Sequence, residues 1–357
     1  MKSSGLCARA AISFFAALLA AFGILGSTAS LAQAGRLLQI STRAQALTGD
    51  DAMIAGFIID GSAPKTVLIT VAGPSLAGVI ANNLRDPTLT LVRASDRAVL
   101  KTNDNWEFQD APADASAIVA SGFAPGERLE PAIIATLAPG AYTAIVRGIA
   151  GGTGIAVVAV YEVDRPDVPL ANLSTRAKVL TGDDVVIAGF AIGPSDPHEV
   201  VVTVAGPSLN GIVPNALQNP TLTLVRMSDR AVVASNDDWQ FQANPADVAA
   251  LEEAGLQPNH AREPAIIATL PPGLYTAIAT GVDGGTGIAV VGVYKSTRAL
   301  AITSADNTTF TAGTAGTFTV TTSGSPPATS VTATGALPPG VTFTPGTTTG
   351  TLSGTPA

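Results

Sequence analysis

A chain of 357 residues with one cysteine, two histidines and two tryptophans is short of the side chains that most often carry chemistry. The one cysteine, Cys7, excludes an internal disulfide and a cysteine-built zinc site, so the protein must be held together by packing. The histidines, His198 and His260, fall opposite Lys65 and Glu127 when the chain is aligned with itself, so no histidine-based triad serves both halves. Charged residues make up 13%, with 27 acidic against 19 basic side chains. No basic patch offsets that balance, so there is no electrostatic footprint for nucleic acid. Ser75 and Ser208 stand in "GPSLAG" and "GPSLNG", which miss the G-x-S-x-G spacing of a nucleophile elbow and read as turn residues. The expectation is a protein that is not an enzyme and has no certain cofactor.

What the chain does have begins with a leader. Lys2 and Arg9 precede an apolar run from Ala10 to Gly26, and Ala32-Gln33-Ala34 offers the small-x-small pattern of a cleavage site. Residues 1–34 therefore read as a signal peptide, cleaved before Gly35. An uncleaved leader would be the one route to a membrane, since no comparable apolar run follows. The expected location is secreted, periplasmic or cell-surface.

The rest of the chain copies itself. "STRAQALTGDDAMIAGF" from Ser41 returns as "STRAKVLTGDDVVIAGF" from Ser174, and "VAGPSL", "PTLTLVR", "EPAIIATL" and "GGTGIAVV" each recur at one fixed displacement. About 75 of the 121 positions from Ser41 to Tyr161 are identical in the second copy. Each copy is a series of short β-branched runs, such as "KTVLITVAG", "TLTLVRAS" and "TGIAVVAVYEV", punctuated by Gly, Pro, Asn and Asp. Only "ADASAIVASG", from Ala113, reads as a helix. The fold class is all-β: two near-identical antiparallel β-sandwiches in tandem, 35–164 and 165–299, joined by a proline-stiffened linker at 162–173.

The two tryptophans sit in matching turns, "TNDNWEF" and "SNDDWQF". Oxygen-rich side chains on a turn suit calcium, which makes Asn103, Asp104, Asn105, Asn236, Asp237 and Asp238 the candidate metal ligands. Trp106 and Trp239 are candidate ligand-stacking platforms. The competing reading is that Asn and Asp cap the turn while each indole plugs a core. Arg43 and Arg176 are expected to pair with the "TGDD" carboxylates.

From Ala301 onward the composition changes to 19 threonines and a single charge, Asp306. "FTAGTAGTFTV", "GALPPGVTF" and "GTLSGTPA" resemble the bacterial Ig-like, cadherin-like modules. The resemblance covers about 55 residues and implies a partial Ig-like sandwich over 300–357, because in that family a final strand follows the last phrase. The two large repeats resemble an uncharacterised repeat of exported bacterial proteins, and their closing hairpin resembles pre-peptidase C-terminal sandwiches. Together these imply a structural or adhesive β-sandwich protein of the bacterial envelope or extracellular space, with surface proteins or polysaccharide as partners. The alternative is a calcium-assisted carbohydrate-binding protein. Solvent exposure of Trp106 and Trp239 separates the two.

Overall fold

The computed structural model describes residues 37–164, 170–193, 197–296, 298–325 and 327–357. The leader, with its cleavage site and Cys7, lies outside the described residues, as does the centre of the expected linker. The protein is all-β with antiparallel pairing throughout its named strands. It divides into two compact units, the first ending at Lys295 and the second running from Ser296 to Ala357.

Among the described residues each repeat supplies eight strands and one short helix. In the first these are β1 (Leu37–Ala46), β2 (Met53–Ile59), β3 (Lys65–Ala72), β4 (Pro87–Arg93), β5 (Val99–Asn103), α1 (Pro112–Ala120), β6 (Ala132–Leu137), β7 (Gly140–Gly148) and β8 (Gly154–Glu162). The second repeats the order with β9 (Leu170–Val179), β10 (Val186–Ile192), β11 (His198–Ala205), β12 (Pro220–Arg226), β13 (Ala231–Asn236), α2 (Ala246–Glu253), β14 (Ala265–Leu270), β15 (Gly273–Gly281) and β16 (Gly287–Lys295). The period-2 alternation of the sequence becomes a two-faced strand: in β2, Met53, Ala55, Phe57 and Ile59 are buried while Ile58 is exposed.

The pairing joins the copies more closely than the sequence suggests. One layer runs β5-β4-β7-β2-β9-β16-β11-β14, and the other runs β13-β12-β15-β10-β1-β8-β3-β6. Each layer takes four strands from each repeat. The first strand of each copy pairs on one side with the last strand of its own copy and on the other with the second strand of the other copy. A single hydrophobic core lies between the layers, in which Phe57, Leu89 and Val158 of the first repeat are continuous with Phe190, Leu222 and Val291 of the second. The boundary near residue 164 therefore separates two copies of sequence within one core, and the expected linker begins in β8 and ends in β9.

An unpaired edge strand exposes a row of backbone donors and acceptors. If each copy stood alone, β1, β2, β9 and β10 would all carry such an edge where they now pair. Reciprocal pairing of β1 with β10 and of β2 with β9 removes those edges. Its axis is marked by Thr42 and Thr175, equivalent residues 133 apart in sequence whose hydroxyls hydrogen-bond to one another.

The second unit is a four-stranded antiparallel sheet in the order β17 (Arg298–Ile302), β18 (Gly316–Ser325), β20 (Thr349–Gly354), β19 (Val341–Thr344). Its glycines admit aromatic rings. A Cβ at Gly350 would come within 2.2 Å of the Phe343 ring, and one at Gly316 within 2.7 Å of Phe310.

Candidate functional site

The Asn-Asp-Trp turn follows β5 and β13, on the outer side of the sandwich. Asn103 closes β5 and is buried. Its Oδ1 accepts from the Ala132 N–H at 3.0 Å, and its Nδ2 donates to the carbonyls of Asn105 and Phe108 at 3.0 and 2.9 Å. Asn236 repeats all three bonds with Ala265, Asp238 and Phe241. Gln109 and Gln242 staple the same loop to β6 and β14 by donating to the carbonyls of Ala132 and Ala265, each at 3.0 Å. The carboxamide that the sequence offers to calcium is thus already committed to protein, as are two backbone carbonyls of the turn. Asp104 and Asp237 are exposed, while Asn105 and Asp238 are half-buried. Among the described residues no three Asp, Glu, His or Cys side chains come together as a metal-holding group.

The tryptophans face inward. Trp239 is 7% exposed and packs with Val201, Leu251 and Ala265 between α2 and the β11–β14 face. Trp106 is half-buried against Leu68, Ile118 and Tyr161. Each Trp main-chain N–H donates to the carbonyl of Glu130 or Glu263. Neither ring is the flat exposed platform that stacking on a sugar requires; each is a plug that seats the helix over the sheet.

Sequence reasoning missed the pairing of these same glutamates with the "GPSL" turns. Gly73 opens a single 3-10 turn, Pro74–Leu76, in which Gly73 and Ser75 point their N–H groups in one direction. Glu130 Oε1 accepts from both, at 2.8 and 2.9 Å, and from Ser75 Oγ at 2.6 Å. Glu263 takes the same three bonds from Gly206 and Ser208 at 2.7, 2.8 and 2.6 Å. The glycine is obligatory because a Cβ at Gly73 would stand 2.3 Å from the Leu84 carbonyl oxygen. Burial pushes the Glu130 carboxyl above its ordinary range, and the three donors partly offset that push. A serine beside a carboxylate invites a catalytic reading, but an acyl-transfer site needs free N–H donors for an oxyanion. Here both are spent on the carboxylate. The pair is a clamp that fixes a turn. The signal that could have revealed it is that both partners recur in both copies, 55 residues apart.

The arginines also differ from expectation. Arg43 Nη2 donates to the Asp183 backbone carbonyl at 2.7 Å, and Arg176 donates to that of Asp50. Each reaches the "TGDD" turn of the other repeat and takes main chain in place of carboxylate. Lys178 adds a 2.8 Å ion pair to Asp51, also across the repeats. Burial lowers the Arg43 pKa, and the nearby charges of Asp183 and Asp184 act against that.

Cavities open in both repeats. One, of about 610 Å³, opens by Arg93, Lys101, Asp114 and Tyr142 in the first repeat, where Lys101 is already bound to Asp114 at 2.5 Å and to the Ile134 carbonyl. The other, of about 210 Å³, lies in the second repeat beside Glu263 and Tyr294.

No family model and no curated protein matches the chain. Among solved structures, a DUF4785 family protein from Legionella pneumophila is 9% identical with a TM-score of 0.21, covering 90% of this chain and 80% of that one. A nodavirus of Penaeus vannamei is 7% identical with a TM-score of 0.14, covering 72% and 83%. Likeness at that level carries no argument about function.

Proposed function

We propose that this is an exported, non-enzymatic structural or adhesive protein of the bacterial cell envelope or extracellular space, and that Ser296–Ala357 is an Ig-like module of the cadherin-like kind. The reading rests on one observation above all: two repeats share two continuous layers and one core, so the unit ending at Lys295 is built to hold a fixed geometry. Its repeated polar side chains support that reading, because Asn103, Glu130, Gln109 and their copies spend their hydrogen bonds on the fold. The calcium-assisted carbohydrate reading depended on exposed indoles, and Trp239 is 7% exposed. Partners are then met by surfaces, with other envelope proteins or polysaccharide as the candidates.

Fractionating the natural host and measuring the intact mass tests this. A chain beginning at Gly35 in the envelope or medium, together with reduced surface attachment in a deletion strain, is the expected result. A cytoplasmic chain retaining Met1 would overturn export, and unchanged attachment would overturn adhesion.

A further inference from the structure

The two repeats differ at one place that matters for binding. In the first repeat Phe123 stacks on Tyr161, with ring centroids 4.3 Å apart and planes at 15°, and Glu130 is fully buried. Its Oε2 has no hydrogen-bond partner. In the second repeat Leu256 stands where Phe123 does, so the stacked ring is absent. Gly292 replaces Ala159, and a Cβ there would lie 2.5 Å from Tyr294 Cε2 and Oη, so the Tyr294 ring lies across the bare glycine. Gln257 and Asn259 replace Ala124 and Gly126. Three of these substitutions thus line one cavity of about 210 Å³, together with Ser208, Glu263 and Tyr294, and the fourth, Gly292, underlies the Tyr294 ring.

We infer that this cavity is a binding site for a small organic cation of the alkylammonium class, present in the second repeat and sealed in the first. Among the described residues lining it Glu263 alone is charged, and Glu263 Oε1 is pinned by Gly206 and Ser208, so the carboxylate is fixed in place. A carboxylate with no counter-charge in its pocket attracts a cation strongly, because little water screens it. The Tyr294 ring offers an aromatic wall, which favours an ammonium over a neutral ligand of the same size. Gln257 and Asn259 supply amides at the mouth. The volume is below the common range for drug-sized ligands and suits a molecule of a few heavy atoms.

Choline chloride is the probe, titrated into the full chain against a sodium chloride series of equal ionic strength, with backbone amide shifts as the readout. Saturable shifts at Gly255, Gln257 and Asn259, with none at Gly122, Ala124 and Gly126, are expected. Leu256→Phe restores the ring that the first repeat carries, so it folds on precedent and should abolish those shifts. Glu263→Gln should weaken choline at least tenfold; if it perturbs the turn, Leu256→Phe still decides. Shifts that are linear in choline, equal in both repeats, or retained in Leu256→Phe would overturn the site. Saturation by glucose in the absence of any response to choline would overturn the cation and leave a neutral hydroxylated ligand in its place.

Discussion

The two repeats are the same fold read twice, and their differences show which parts of a β-sandwich are constrained and which are free. Identical residues gather where backbone meets backbone: the "GPSL" turn with its glutamate, the Asn that ties β5 or β13 to its neighbour, and the closing "GGTGIAVV" strand. Differences gather in the loop after the helix and at the outer end of β3 and β11. There Lys65, buried beside Glu162 at 3.5 Å, becomes His198, and Glu162 becomes Lys295. A buried pair of opposite charge has been exchanged for a histidine beside a lysine. Duplication has kept the clamps and released the cavities.

The largest test of the comparison is to separate the copies. A chain cut to residues 37–164 exposes the edges of β1 and β2 and the seam of the shared core, so it should not remain a stable monomer. Because Thr42 and Thr175 are equivalent, one copy can replace the other, and sedimentation should show a symmetric dimer. A well-folded monomer would show that the pairing between copies is incidental. Next in size is the clamp. Glu130→Ala strands the Gly73 and Ser75 N–H groups in a buried turn and should cost about 3 kcal/mol in chemical denaturation. Glu130→Gln retains an acceptor and removes a charge that burial disfavours, so it should cost far less. If both variants lose the same stability, the carboxylate charge matters more than the hydrogen bonds. The tryptophans then divide the copies: Trp239→Ala should cost ~3–5 kcal/mol as a buried aromatic, and Trp106→Ala distinctly less because its ring is half-buried. Equal losses would mean that the helix, and not the indole, seals the face.

Much of this was legible in the sequence because strands and turns leave local marks. "MIAGFII" alternates as a half-buried strand must, and the helix after "NW" starts at Pro112, one residue from its expected position. The exposed Arg93–Asp96 and Arg226–Asp229 pairs close tight turns, and their hydrogen bonds pull both aspartates down to about 2. They account for part of the charge shared by the copies without any chemistry. The edge-to-edge pairing of the first strands with the other copy was not legible, because "STRAQA" alternates identically whichever copy it pairs with. The alternation fixes which face is buried and leaves the partner open. For the same reason the sequence left open which copy's "TGDD" turn each arginine reaches. The Ser75–Glu130 clamp was hidden by 55 intervening residues. The Glu263 cavity required knowing that Phe123 touches Tyr161, a contact no periodicity reports.

The smallest expected effect concerns pH, and it separates the copies by sign. His198 is buried, its Nε2 has no hydrogen-bond partner, and burial first and Lys295 second lower its pKa below the ordinary 6.5, with Glu199 opposing. Below that ordinary value the unfolded chain binds a proton that the folded chain resists, so stability contributed by neutral His198 is lost as pH falls below 6.5. Glu130 works the other way. Its folded pKa is raised, so its burial costs stability above the ordinary carboxyl value of 4.5, and acidification towards that value relieves the cost. In a Glu130→Gln background the opposing titration is gone, and the melting midpoint should fall between about pH 7 and pH 5.5. Adding His198→Gln should flatten that fall, whereas His260→Gln, on an exposed loop, should leave it as it was. A fall that survives His198→Gln would place the pH response in groups the two repeats share, and the exchange of Lys65 for histidine would then have no consequence for stability.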